Sequence, residues 1–196
     1  GIPKQVSNEV IIAPFNDIET VKSLIEEYHD ELGGVIVEPF QRLIPPSPGF
    51  LEMLREITLK HHIPLIFDEI VTGFRFSYGG AQDYYGVTPD LCTLGKIIGG
   101  GFPVAAVCGN KEIMKHFDKA LVGEEDFLPQ IGTLSGNPLA SVAGLATLNI
   151  LKPASSYQKV FETGRQLMEG LRAALLDNGH VAQITGEPAL FDVFFT

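Results

Sequence analysis

Short unbroken apolar runs alternate along the chain with longer stretches in which apolar residues return every three or four positions. Val21, Leu24, Ile25, Tyr28 and Leu32 have that helical spacing. Asn16 reads as the N-cap of this helix, Glu19 as its capping-box partner and Gly33 as its stop. A second helix is predicted over 48–61, with Ser47 as cap and Pro48 in the first position, where the missing N–H costs nothing. "GVIVEP", "IPLIFDE", "LCTLGK" and "PVAAVCG" read as strands, and "GGAQDYYGVTPD" as a loop holding one helical turn. Asn110 caps a short helix over "NKEIMKHFD". From Asn137 the pattern turns helical, with Asn137 as cap and Pro138 first. A further helix follows over about 156–177, carrying Val160, Leu167, Leu171 and Leu175 and stopped by Gly179. "ALFDVFFT" closes the chain as a strand. The first four strands are continuous apolar runs, the pattern of strands buried on both faces in a mostly parallel sheet covered by helices. The fold class is therefore α/β. Pro153 marks a candidate boundary, with 1–152 as part of a large domain and 153–196 as the start of a smaller one.

Composition narrows the function classes. The 196 residues are 45% hydrophobic and 19% charged, which suits a large core. A net charge of −10 and the lack of a basic run argue against a nucleic-acid partner. No apolar run is long enough to span a bilayer, so no membrane partner is expected. Cys92 and Cys108 are too few for a disulfide framework and read as free thiols of a reducing, cytoplasmic compartment. The five histidines lack metal-ligand spacing, so no metal site is expected. The chain opens without methionine and stops within a strand-like run, which reads as a piece of a longer protein.

Glu38, Asp68 and Lys96 each fall at the C-terminal end of a separate apolar run. In open α/β sheets, ligands bind beyond those ends. A charged residue where a strand leaves the core is also ordinary, but two carboxylates and an amine together point to a site. The lysine lies in "LGKIIGGGFP". A phosphate loop puts its glycines before the lysine, so that reading fails. A solvated loop fits poorly with Ile97, Ile98, Phe102 and Val104 around it. Desolvation disfavours an ammonium, so an amine held among apolar groups is suited to Schiff-base chemistry. The three glycines would let the backbone approach a flat ligand. A carboxylate at a neighbouring strand end is the usual partner of a protonated pyridine nitrogen, which pairs Asp68 with Lys96 around pyridoxal phosphate.

"LIFDEIVTGFR", "GVTPDLCTLGKIIGGGFPVAA" and "GTLSGNPLA" resemble the signature of class III pyridoxal-phosphate aminotransferases over nearly the whole chain. Within that class the pattern is most similar to the glutamate-1-semialdehyde 2,1-aminomutases. An apolar Val71 stands where many other members carry glutamine.

The resemblance implies a fold type I architecture, with a large domain, a smaller α+β C-terminal domain and a homodimer sharing its active sites. It implies Lys96 as Schiff-base lysine and proton carrier, and Asp68 as partner of the pyridine nitrogen. Ile70 would pack on the ring face, Thr133 would bind the phosphate held by the partner subunit, and Glu38 would lie near the cofactor. The cofactor would be pyridoxal 5'-phosphate or pyridoxamine 5'-phosphate, and the substrate a small amino acid or amino aldehyde. The implied reaction is an internal amino exchange turning glutamate 1-semialdehyde into 5-aminolevulinate, a tetrapyrrole precursor. Two alternatives stand beside it: a class III aminotransferase acting on a β- or ω-amine and a keto acid, and a non-catalytic fragment of such an enzyme.

Overall fold

The computed structural model describes residues 1–195. Its helices are α1 (Lys4–Ser7), α2 (Ile18–Tyr28), α3 (Phe50–Lys60), α4 (Gly80–Tyr85), α5 (Lys111–Met114), α6 (Lys119–Val122), α7 (Pro138–Leu151) and α8 (Ala154–Asp177). Its strands are β1 (Val35–Val37), β2 (Leu65–Glu69), β3 (Leu91–Leu94), β4 (Ala106–Gly109), β5 (Ala182–Glu187) and β6 (Leu190–Phe195). A 3₁₀ turn, Lys96–Gly99, follows β3 directly.

β1 to β4 form a mixed sheet in sequence order, parallel through β3 and antiparallel at β4. Right-handed crossovers between strands that advance in one direction put their helices on one face. On that face Val21 and Ile25 of α2 and Phe50, Leu51, Leu54 and Ile57 of α3 pack on the wholly buried Leu65 and Phe67 of β2. Each such side chain contributes roughly 1.5–3 kcal/mol by leaving water. Ile66 and Asp68 on the opposite face are only half-buried, and Ile36 of β1 is 64% exposed. Among the described residues, no helix covers that side of β1.

Local turn chemistry moves two predicted helix starts. Asn16 is not the cap of α2. It takes a left-handed φ of 68°, which Asn tolerates, and its amide joins Pro45 O and Ser47 N at 3.0 and 2.8 Å. Asp17 caps instead, accepting from Thr20 N and Thr20 Oγ1. Ser47 does not cap α3 either. Gly49, with φ 84°, sits at the N-cap, and this left-handed residue keeps Pro48 outside the helix. The caps Asn110 and Asn137 lie as predicted, the latter accepting from Leu139 N and Ala140 N. α8 starts two residues before the predicted position, at Ala154, with Pro153 as N-cap.

β5 and β6 form a separate antiparallel hairpin. It docks through Leu190 and Ala189, with Phe161 of α8, onto Phe40, Phe76 and Ala81. Tyr84 and Tyr157 fasten the same seam through their hydroxyls, to Glu187 and to Phe74 O. No helix among the described residues is long and apolar enough to cross a membrane.

Candidate active site

Asp68 occupies the penultimate position of β2, so the alternation that buries Phe67 and Glu69 turns Asp68 to the uncovered face. Its register partner on β3 is Thr93, which therefore shares that face. Thr93 Oγ1 donates to Asp68 Oδ1 at 3.1 Å, and Ile70 N donates to the same oxygen at 3.1 Å. Among the described residues no hydrogen bond reaches Oδ2 of Asp68. One carboxylate oxygen is thus fixed while the other is open to a donor from outside.

Glu69 faces the other way and is wholly buried. Its carboxylate accepts from Thr72 Oγ1, Ala81 N, Gln82 N and Gln82 Nε2. These bonds tie the loop after β2 to the start of α4 and set the path of the chain around Asp68. A side chain at Gly80, where φ is 75°, would collide with this carboxylate.

Lys96 lies two residues past β3, at the head of the 3₁₀ turn, with a left-handed φ of 46°. Such backbone in a non-glycine residue costs of order 1 kcal/mol and concentrates at functional sites. Its side chain is exposed, and no ion pair among the described residues involves it. The apolar surroundings expected for the amine are therefore not supplied by these residues. The neighbouring Gly95 touches Ile70, whose Cδ1 would lie 3.0 Å from an added Cβ, so Ile70 sits beside the lysine turn.

Gly100, after Lys96, has a packing task. An added Cβ at Gly100 would strike Thr147 Oγ1 and come within 2.9 Å of Ala143 O, both in α7. In return, a Cβ at Gly144 would lie 2.5 Å from Ile98 O. The glycines let the lysine turn lie directly on α7.

Glu38, one residue past β1, lines a cleft of about 650 Å³ together with Asp68, Ile36 and Gln41. Thr133 lines a second cavity of about 580 Å³, with Ser135, Asn137 and Pro103, at the N-terminus of α7. The structure thus brings Glu38 and Asp68 to one wall, sets Lys96 and Ile70 at the adjoining turn and leaves Thr133 in a separate pocket. Among the described residues, no group of three or more His, Cys, Asp or Glu side chains is placed to hold a metal ion.

Residues 4–195 match the family model for aminotransferase class-III. The chain belongs to the class-III aminotransferase family. Solved proteins of similar structure include an omega-transaminase from Sphaerobacter thermophilus, 42% identical over all of this chain and 44% of that one, with a TM-score of 0.91. A beta-phenylalanine aminotransferase from Variovorax paradoxus is 34% identical over 95% of this chain and 43% of its own, at 0.84. A glutamate-1-semialdehyde aminomutase from Pseudomonas aeruginosa PAO1, solved in complex with PMP, is 30% identical over 95% and 42%, at 0.76. This chain spans less than half the length of each of these proteins.

Three residues of this class-III chain escaped the sequence reading. Thr93, which holds Asp68, was legible only as a lone hydroxyl inside an apolar run. Glu69 was read with Asp68 as a strand end, yet strand alternation separates their faces. Gly144 carried no signal beyond being a glycine inside a helix, a costly choice that asks for a packing reason.

Proposed function

We propose that this protein moves an amino group between a small amine or amino acid and a keto or aldehyde acceptor, using pyridoxal 5'-phosphate or its amino form. The observation that carries the proposal is the Asp68 carboxylate, fixed at Oδ1 by Thr93 and Ile70 N with Oδ2 open beside the lysine turn. That open oxygen fits a ring N–H of the cofactor. When bound, the cofactor supplies an electron sink for the pair left on the substrate carbon as a proton departs. Asp68 would accept from the ring N–H and so keep that nitrogen protonated, and the two donors at Oδ1 hold the carboxylate in place. Lys96 would hold the cofactor through its amine and, once released, would carry the proton taken from the amine-bearing carbon of the substrate. Ile70 offers an apolar surface at the same turn, and Glu38 lines the cleft beside Asp68. Thr133 would donate its hydroxyl to a phosphate held by a partner subunit, a role that suits a pocket lined also by Ser135, Asn137 and Ser141.

The partner subunit is a second copy of this chain, in a homodimer. The exposed Leu139, Val142, Leu145 and Ile150 of α7 support this, because a helix apolar all round is made to be covered. The division near Pro153 into a large and a small domain, and a cytoplasmic site of action, belong to the same reading.

Two substrate assignments remain in play. The higher identity to the omega-transaminase supports a reaction with separate amine donor and keto acceptor. Val71 and "GTLSGNPLA" support the aminomutase reaction on glutamate 1-semialdehyde. Turnover of that aldehyde with no added donor or acceptor selects the second. Turnover only with a β- or ω-amine and a keto acid selects the first. Failure of both, with cofactor bound, refutes the proposal.

A further inference from the structure

The contact between α7 and the lysine turn has a consequence for catalysis. Gly144 lies inside a fourteen-residue helix. Glycine weakens a helix interior relative to alanine, so an unconstrained position there favours alanine. Here the added Cβ would lie 2.5 Å from Ile98 O, a backbone atom that cannot swing away like the tip of a side chain. Ile98 is two residues from Lys96, within the turn Lys96–Gly99. On the same helix, one turn further on, Thr147 donates to Ala143 O at 2.9 Å and faces Gly100, which has a left-handed φ of 57°. The lysine turn is therefore clamped at two points, Ile98 O on Gly144 and Gly100 on Thr147. Ile98 and Gly99 of the turn are buried in this contact while Lys96 stays exposed.

We infer that Gly144 is a positioning residue for Lys96: it sets the height of the 3₁₀ turn above α7 and thereby where the lysine amine stands relative to Asp68. This rests on the functional reading above, in which Lys96 bonds the cofactor. At Gly144 the contact is backbone against backbone, with no adjustable side chain, so a single methyl there displaces the turn. A displacement of about 1 Å can cost on the order of 100-fold in rate.

The test uses the full-length protein with three variants. Gly144→Ala lifts the turn at Ile98. Thr147→Leu presses on it at Gly100 while leaving every glycine in place. Gly170→Ala, in the interior of α8 with nothing within 4 Å of the new methyl, is the control. Apoprotein is mixed with pyridoxal phosphate, and the rate at which residue 96 becomes reducible by borohydride to a pyridoxyl adduct is followed by intact mass, beside the thermal midpoint and kcat. In the wild type, adduct on Lys96 upholds the functional reading, and its absence overturns that reading independently of the clamp. Given adduct in the wild type, the inference expects both α7 variants, folded and below their midpoints, to form it at least tenfold more slowly and to lose roughly 10- to 100-fold in kcat, with Gly170→Ala unchanged. Wild-type adduct rate and kcat in a folded Gly144→Ala overturn it, even with a lowered midpoint, since a purely structural glycine would alter stability alone. Should Gly144→Ala fail to fold, Thr147→Leu decides by the same two readouts.

Discussion

Asp68 and Glu69 are adjacent carboxylates with opposite fates, and strand alternation assigns them. Asp68 presents one free oxygen to the uncovered face, while every oxygen of Glu69 is engaged within the core. Asp68→Asn keeps the shape of the site but removes the charge that, in the proposed function, holds the ring nitrogen protonated. Steady-state kinetics of that variant should show a loss of roughly 10²- to 10³-fold in kcat, with residue 96 still able to trap cofactor. Wild-type turnover would remove Asp68 from the chemistry. Thr93→Val conserves volume and deletes one donor to Oδ1. It should lower stability by about 1 kcal/mol in urea titration and reduce kcat while leaving the Lys96 adduct intact. Glu69→Gln places an amide where donors already converge. A loss of about 1–3 kcal/mol by the same titration is expected, and an unchanged midpoint would show that the loop after β2 does not depend on that carboxylate.

At the scale of elements, α2 and α3 close one face of the sheet and meet at their C-termini through His29 and His61. The two rings stack with centroids 4.5 Å apart, and His61 Nε2 is buried without a partner. Burial, then the neighbouring His29 and Lys60, hold the His61 imidazole below its ordinary range, against weaker opposing pulls from Glu26 and Asp30. The unfolded chain then takes up a proton that the folded chain resists. Stability should therefore be full above about pH 6.5, fall as the pH drops below that value, and level off once His61 is protonated in the folded state too. Thermal midpoints measured from neutral pH to about pH 5 should fall less steeply in His61→Gln than in the wild type. An identical slope would clear His61 of the effect.

The elements most legible in the sequence were those with unbroken apolar runs or asparagine caps, because burial and local hydrogen bonding decide them alone. β1 to β4, α5 and α7 belong to this group. The start of α2 moved because Asn16 is spent on the proline loop, a contact 29 and 31 residues away that no local pattern encodes. β5 was missed because "AQITGE" is short and largely polar and gains its order from pairing with β6. In the site, Asp68 and Lys96 stood out by residue type at strand ends. The Thr93 bond and the α7 clamp depend on which residues face each other across elements, and only the fold shows that.

At the scale of the whole molecule, uncovered apolar residues are spread along the chain, and one group of them lies on α7 and the segment before it, where Leu128, Ile131 and Leu134 are also exposed. The same region carries Thr133. A surface of this kind beside the Thr133 pocket supports the proposed shared active site. Leu145→Glu should therefore convert a dimer into a monomer in sedimentation velocity, and weaken cofactor retention in parallel. A variant that remains dimeric would move the interface off α7.

The central claim, that Lys96 and Asp68 form one pyridoxal-phosphate site, is tested most directly by borohydride reduction of the purified full-length protein, followed by intact mass and location of the modified peptide. One pyridoxyl-phosphate adduct per chain on Lys96, absent from Lys96→Ala, is expected. A protein that takes up cofactor on another lysine, or none after incubation with pyridoxal phosphate, would contradict it.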